Sequence, residues 1–348
     1  MNKQDKLTEA TMLALQGKLL KEDNEDTDNE SVNMQPRTVD EFQDLVCNLL
    51  KINDCASVEE IPDNIDTSKM TDMSWMFAEF TNLRTIPKLD TSSVVNMENM
   101  FYECKNLKAI PLLDTSNVTC MKGMFFNCKS LKTIPELDTS NVTNLDLMFR
   151  DCSSLQEIPQ LNTSSVISMN SLFEGCNSLK AIPLLDTHNV CNMVDMFHKC
   201  SSLKTVPLLN TGNVTNMDSM FEGCENLRTI PMLDTSNVEL FSGMFKHCVN
   251  LEEIPQLNIS KAKYTDQMFR ECSSLQEVPL LDTSNVKITS SMFYGCTKLH
   301  SIPLLDTSKV INMNWMFNGC TSLTRKDIET IKQMLNNSKD EDDIDVII

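Results

Sequence analysis

MFYECKNLKAIPLLDTSNVTCMKG, residues 100–123, is followed by Met124-Phe125 and then by the same pattern again. The Met-Phe pair stands at Met76-Phe77, Met100-Phe101, Met124-Phe125 and Met148-Phe149, recurs as Leu172-Phe173, and runs on in step to Met316-Phe317. Every step is 24 residues, with no insertion. A cysteine follows each Met by four positions, from Cys104 to Cys320, with Phe80 in its place in the first full unit. A leucine comes three residues later, then Ile-Pro or Val-Pro, then Leu-Asp-Thr-Ser-Asn-Val. A strict period without length variation is the signature of stacked units that touch mainly their neighbours. A shorter leading copy begins at Cys55, so about twelve coils stack between residues 55 and 324.

The fold class expected is a leucine-rich-repeat solenoid of the α/β type. It has short parallel strands on one face, tight helical or 3-10 turns on the other, and helical caps at both ends. Apolar spacings of three and five fit neither a single amphipathic helix nor an alternating strand. The strand is placed at Leu-x-x-Ile-Pro, with Pro marking its end because it lacks an N–H. Asp-Thr-Ser-Asn supplies oxygens that cap the following turn.

MFxxCxxLxxIP together with LDTSNVTNM, nearly intact at 113–121 and 137–144, resembles the BspA-like leucine-rich repeats. The closest likeness is to the variant of mycoplasma-type lipoproteins and other bacterial surface proteins. The resemblance covers residues 55–324. It implies a right-handed solenoid used for protein contact, commonly in surface adhesion.

The ends read as lids. Thr38 and Glu41 form a capping box, and Phe42, Leu45, Val46, Leu49 and Leu50 line one face of the helix that follows, giving an N-terminal cap over 38–54. Thr324 and Asp327 open a C-terminal capping helix over 325–337. Trp75 and Trp315 share one repeat column at the two ends and are expected to thicken the core beneath the lids. Residues 1–37 form an acidic segment with a short helix over about 7–20, and 338–348 form an acidic tail.

Formal charge is −19, with −6 over residues 1–54, −3 over 325–348 and the rest between. That excludes a nucleic-acid backbone as the main partner. No run reaches the length of a membrane span, and the N-terminus has no signal-peptide pattern. The expectation is a cytoplasmic or virion-associated protein in preference to a conventionally secreted one, with the cell surface open by resemblance.

Eleven of the fourteen cysteines read as one buried column, Cys55 and the ten from Cys104 onward, set about 4.8 Å apart and unable to pair along it. Cys47, Cys120 and Cys191 lie off it. The acidic column Asp66, Asp90, Asp114, Asp138, Asp186, Asp234, Asp282 and Asp306 alternates with Asn162, Asn210 and Asn258, which favours local capping over bound cations. No cofactor, metal site or catalytic group is expected. His188, His198, His247 and His300 fall in different columns, and no phosphate loop or nucleophile motif is present. Three successive units depart from Val-x-Asn-Met, at 238–241, 262–265 and 286–289, which reads as drift.

Binding is assigned to two outward rows. One is basic over its first two thirds: Arg84, Lys108, Lys132, Lys180, Lys204 and Arg228. The other, after each Pro, is largely apolar: Leu112, Leu184, Leu208 and Met232, with Leu280 and Leu304 beyond. The expected function is a non-catalytic protein-interaction scaffold using the strand face, its oligomeric state open. A surface or virion adhesin gripping a host protein or glycan, and a structural component anchored by its termini, are the alternatives.

Overall fold

The computed structural model describes residues 35–337. The helix expected over 7–20, the N-terminal acidic segment up to residue 34 and the tail 338–348 lie outside these residues. Helix α1 spans Val39–Leu50, a 3-10 turn spans Cys55–Ser57, and helix α2 spans Arg325–Asn337. Everything between residues 58 and 324 is built from turns and extended stretches joined by parallel bridges.

The bridges fall at one position per coil: Asp72 to Asn96, Asn96 to Cys120, Cys120 to Asn144, and onward to Ile288 with Asn312. This position follows the repeat Val by two and is not in Leu-x-x-Ile-Pro, where the strand was expected. The physical reason is donor availability. From the first full coil to the second, alternate N–H groups at Met73, Trp75, Phe77 and Glu79 donate forward to the carbonyls of Asn96, Glu98, Met100 and Tyr102. The groups between them, at Met76, Ala78 and Phe80, donate three residues back within their own coil. Across Leu-x-x-Ile-Pro, by contrast, inter-coil bonding is sparse, as in Lys108 N–H to Arg84 and Lys204 N–H to Lys180, with one bridge, Glu277 to Ser301.

Two turns in each coil place their third residue in the left-handed region. In the first full coil these are Trp75 (φ 61°) and Glu79 (φ 64°). The same two columns hold Gly123, Gly175, Gly223, Gly243, Gly295 and Gly319, all with positive φ. Glycine meets that demand without steric cost, whereas other residues carry strain there. Trp75 and Trp315 occupy this column and so face outward. They are 47 % and 53 % exposed, with rings against Tyr102 and Tyr294, and do not thicken the core as expected.

Inside, each coil contributes a Phe to one continuous stack from Phe77 to Phe317. Ring centroids are 5.3–5.8 Å apart and planes lie within 11°. All these rings are fully buried, each stabilising the fold by about 1.5–3 kcal/mol through burial alone. The cysteine column from Cys104 to Cys320 lies alongside. Each thiol donates to the carbonyl of the preceding coil's Phe at 2.9–3.2 Å, as Cys104 does to Phe77. A thiol here fills a small apolar space and also completes a hydrogen bond. Burial pushes these thiols far up, Cys320 to about 12, which leaves them unreactive. Cys55 does not belong to this ladder. It sits one residue ahead of the register and is joined to Cys47, which the sequence left unpaired.

Asp-Thr-Ser-Asn clamps neighbouring coils on the opposite edge. The Asp carboxylate accepts the N–H of the Ser two residues on, as Asp114 does from Ser116. The Thr hydroxyl donates to the next coil's Asp or Asn carbonyl at 2.8–2.9 Å, and the Asn amide reaches back to the previous coil, as Asn117 does to Ser92. Asn162, Asn210 and Asn258 accept the N–H two residues on in the same way, from Ser164, Gly212 and Ser260.

At the ends, Phe42 of α1 meets Phe77 edge-on at 5.5 Å, while Leu49 and Leu50, expected on the buried face, are exposed. In α2, Ile331 and Met334 are buried and the Met334 carbonyl accepts from Thr307.

Gly175→Ala places a Cβ against the Asp151 carboxylate at a left-handed φ, and is expected to cost about 1–2 kcal/mol in chemical denaturation. Gly212→Ala, outside the left-handed columns, should stay within about 0.5 kcal/mol; equal losses would refute the column's importance.

The Ser68 N–H holds Asp66 below the usual carboxylate range, and the Ser hydroxyl and N–H do the same for Asp90, Asp114 and Asp138. A depressed folded pKa contributes stability that is complete above about pH 4 and is lost as pH falls below it. Replacing Asp90, Asp114 and Asp138 together by Asn should therefore narrow the gap between melting temperatures at pH 6 and pH 3. An unchanged gap would show that these carboxylates add nothing.

Candidate functional site

From Leu107 to Leu113 the chain is without helical turns, and burial recurs at every third residue. Leu107, Ile110, Leu113 and Thr115 face inward, while Lys108, Ala109, Leu112 and Asp114 face water. Pro111 holds φ near its extended value between them. Repetition turns each outward position into a row along the stack.

The basic row consists of Arg84, Lys108, Lys132, Lys180, Lys204 and Arg228, all exposed. Arg84 pairs with Glu59 at 3.3 Å and Arg228 with Glu252 at 3.2 Å. The four lysines form no ion pair among the described residues. The apolar row Leu112, Leu184, Leu208, Met232, Leu280 and Leu304 is 53–67 % exposed, unusual for side chains of this size. Its gaps are filled by Gln160 and Gln256, whose amides donate to the Leu184 and Leu280 carbonyls of the next coil at 2.6 and 2.7 Å.

These rows are not equally recessed. An open groove of about 1210 Å³ runs over Leu208, Met232, Gln256, Leu280 and Leu304, with Asp234, Asp282 and Asp306 along its edge. A shallower one of about 670 Å³ continues it over Gln160, Leu184 and Leu208. Leu112 lines only small hollows near Lys88 and Asp114. The basic row lines none of these grooves. Two residues separate Leu112 from Asp114 and four separate it from Lys108, so at about 3.3 Å per residue the acidic row is the nearer neighbour. Leu208 and Met232 are thus brought together in one groove, Leu184 joins Leu208 in the next, and the basic side chains form a separate margin.

A second organised surface escaped the search by residue type. The position after Met-Phe reads Tyr102, Phe126, Arg150, Glu174, His198, Glu222 and Lys246 in successive coils. Tyr102 stacks on Phe126 at 4.9 Å, Arg150 lies over Phe126, and Arg150 pairs with Glu174 at 3.1 Å. His198 lies 3.5 Å from Glu174 and 4.0 Å from Glu222, which Lys246 meets at 3.0 Å. Glu174 is held low despite its burial by hydrogen bonds from His198 and Ser171 and by Arg150, whereas burial raises Asp195 beside it. The alternation of sign at 24-residue spacing was its signal in the sequence. The residues satisfy one another, and among the described residues no group of His, Cys, Asp and Glu could hold a metal ion. No helix of the described residues is long and apolar enough to cross a membrane.

Among solved structures, the chain is similar to a leucine-rich cell surface protein of Faecalibacterium prausnitzii A2-165. Identity is 21 %, coverage is 81 % of this chain and 82 % of that one, and the TM-score is 0.48. It is also similar to a leucine-rich repeat protein of Bacteroides ovatus, at 19 % identity over 81 % and 91 % of the two chains with a TM-score of 0.42. A third similar structure is a leucine-rich repeat protein of Eubacterium ventriosum, at 16 % identity over 78 % of both chains with a TM-score of 0.43. None of the curated proteins matches the chain. The family model described as Mycoplasma protein of unknown function, DUF285, matches residues 48–154, 99–207, 199–301 and 274–340. Those overlapping matches take in nearly the whole solenoid, and the chain belongs to that family of leucine-rich-repeat proteins.

Proposed function

We propose that this chain is a non-catalytic scaffold that binds a protein partner along the face made by successive Leu-x-x-Ile-Pro-x-Leu-Asp stretches. The observation that carries the reading is the row of six exposed Leu and Met side chains, set in one column with Glu136, Gln160 and Gln256 between them. Isolated exposed leucines are ordinary; a row in register is a patch, and patches of this kind mark interaction sites. The unpaired Lys108, Lys132, Lys180 and Lys204 form a polar rim on one side, matching the usual anatomy of an apolar interface centre with a charged border. Arg84, Leu112, Leu184, Leu208, Met232 and Arg228 complete the proposed contact set.

The reading is tested by crosslinking capture from the native source with the full chain and two surface variants, followed by mass spectrometry. Leu184→Asp with Leu208→Asp should reduce capture of the main partner at least about tenfold, since hot-spot truncations commonly cost 2 kcal/mol or more. Lys180→Glu with Lys204→Glu should weaken it less and make it less salt-sensitive. Both variants should melt with the parent. Capture that survives both changes and disappears when residues 338–348 are removed would move the function to the terminus.

A further inference from the structure

The interaction face changes sign along its length. In its first half the margin is set by Lys108, Lys132, Lys180 and Lys204. Past Met232 that row reads Glu252, Gln276 and His300, and Glu253 and Glu277 lie one position further on, around a hollow of about 500 Å³. Arg228 is occupied by Glu252, and His300 faces Glu277 at 3.9 Å. On the other side of the apolar floor run Asp234, Asp282 and Asp306. Hydrogen bonds from the following Ser hydroxyl and N–H hold Asp234 and Asp306 below the usual carboxylate range, so both are ionised at neutral pH. Two lysines stand beyond this acidic row, but Lys261 donates to Asn237 and Lys309 to Asn285 on the turn edge. The groove over Leu208, Met232, Leu280 and Leu304 is therefore an apolar trough edged by Asp234, Asp282 and Asp306, with no basic side chain in its lining.

We infer that the groove over Leu208, Met232, Leu280 and Leu304 is a docking site for a cationic, leucine-rich peptide segment of a partner protein. The inference rests on the scaffold reading and deepens it by naming the partner's chemistry. Charge complementarity commits the groove to this occupant. An acidic segment, including this chain's own tail ending Asp345-Val-Ile-Ile, meets the carboxylates of Asp234, Asp282 and Asp306, and so does a nucleic acid. Length agrees as well. The floor spans four coil steps of about 4.8 Å, which matches about six residues of extended peptide at about 3.3 Å each. Apolar side chains of such a peptide sit on the floor while its lysines or arginines reach the rims.

The experiment measures fluorescence anisotropy of labelled (Lys-Leu)4, (Glu-Leu)4 and (Lys-Gln)4 against the full chain. The (Lys-Leu)4 peptide should bind, and the other two should bind at least about tenfold more weakly. Leu280→Ser should lower (Lys-Leu)4 affinity about tenfold, and Ile167→Ser, at an exposed side chain outside the proposed contact set, should leave it unchanged. Asp234→Asn, Asp282→Asn and Asp306→Asn together keep the turns, which already accept Asn at 162, 210 and 258, and should weaken binding and flatten its salt dependence. Equal effects of Ile167→Ser and Leu280→Ser, or preference for (Glu-Leu)4, would overturn the inference. So would self-association of the parent chain in sedimentation that Leu280→Ser abolishes, which would give the groove to a second copy. Loss of native-partner capture in the Leu184/Leu208 variant without any (Lys-Leu)4 binding rejects this site while the scaffold stands. Peptide binding with capture indifferent to every face variant rejects the scaffold reading instead.

Discussion

The structure depends on a hydrogen-bonding arrangement in which alternate backbone N–H groups point forward to the next coil and the remainder close turns within their own. Met73, Trp75, Phe77 and Glu79 reach carbonyls 23 residues ahead, and Met76, Ala78 and Phe80 reach back by three. A chain can alternate in this way only if it changes direction at fixed points, which is why two columns adopt left-handed φ in every full coil. An insertion of one residue would shift every later donor off its acceptor and turn the next Phe out of its stack. The constant 24-residue step is the covalent record of that constraint. Regular strands are not needed because the turn run itself satisfies the backbone.

The period, the buried columns and the outward rows were legible because each rests on a residue type recurring at constant spacing. The side of the coil that carries the inter-coil bonds was not. Leu-x-x-Ile-Pro has the apolar, β-branched character of a strand, whereas the bridged stretch around Asn96 and Asn144 is polar and turn-like. Composition reports what is buried; it does not report which N–H groups remain available. Trp75 misled for a related reason, since its size suggested core while its column demands a left-handed backbone that turns the side chain outward. Cys55 was grouped with the ladder by type, although its register is one residue early and its partner is Cys47.

Polar atoms do more than cover the surface. The Thr hydroxyl of each Asp-Thr-Ser-Asn turn and the thiol of each ladder cysteine both bond to a neighbouring coil's carbonyl, one on each edge of the apolar interior. A buried carbonyl left without a donor costs roughly 1–3 kcal/mol, so these small side chains guard the stack against sliding as much as they add to its stability. Where Ile259 replaces the Thr, Asn258 N–H instead donates to Thr235 of the preceding coil, and the contact between coils is kept.

Because the interior is committed, variation has only the outward columns in which to act, and a solenoid sets those columns out as lines parallel to its axis. Charge is then a function of position along the stack. On the turn side opposite charges meet across coil steps, Arg150 with Glu174 and Glu222 with Lys246. On the extended side the row after the repeat Leu is basic up to Arg228 apart from Gln156, and the Asp row runs on the other side of an apolar floor that nothing in the chain's described residues covers. Uncompensated rows of like charge cost self-repulsion. Asn162, Asn210 and Asn258 relieve part of it without disturbing the turns. Because Asn can accept at the same turn position, the turn itself can form without the carboxylates at 234, 282 and 306 that stand beside the floor. Their retained charge points to an oppositely charged occupant as the reason for their place.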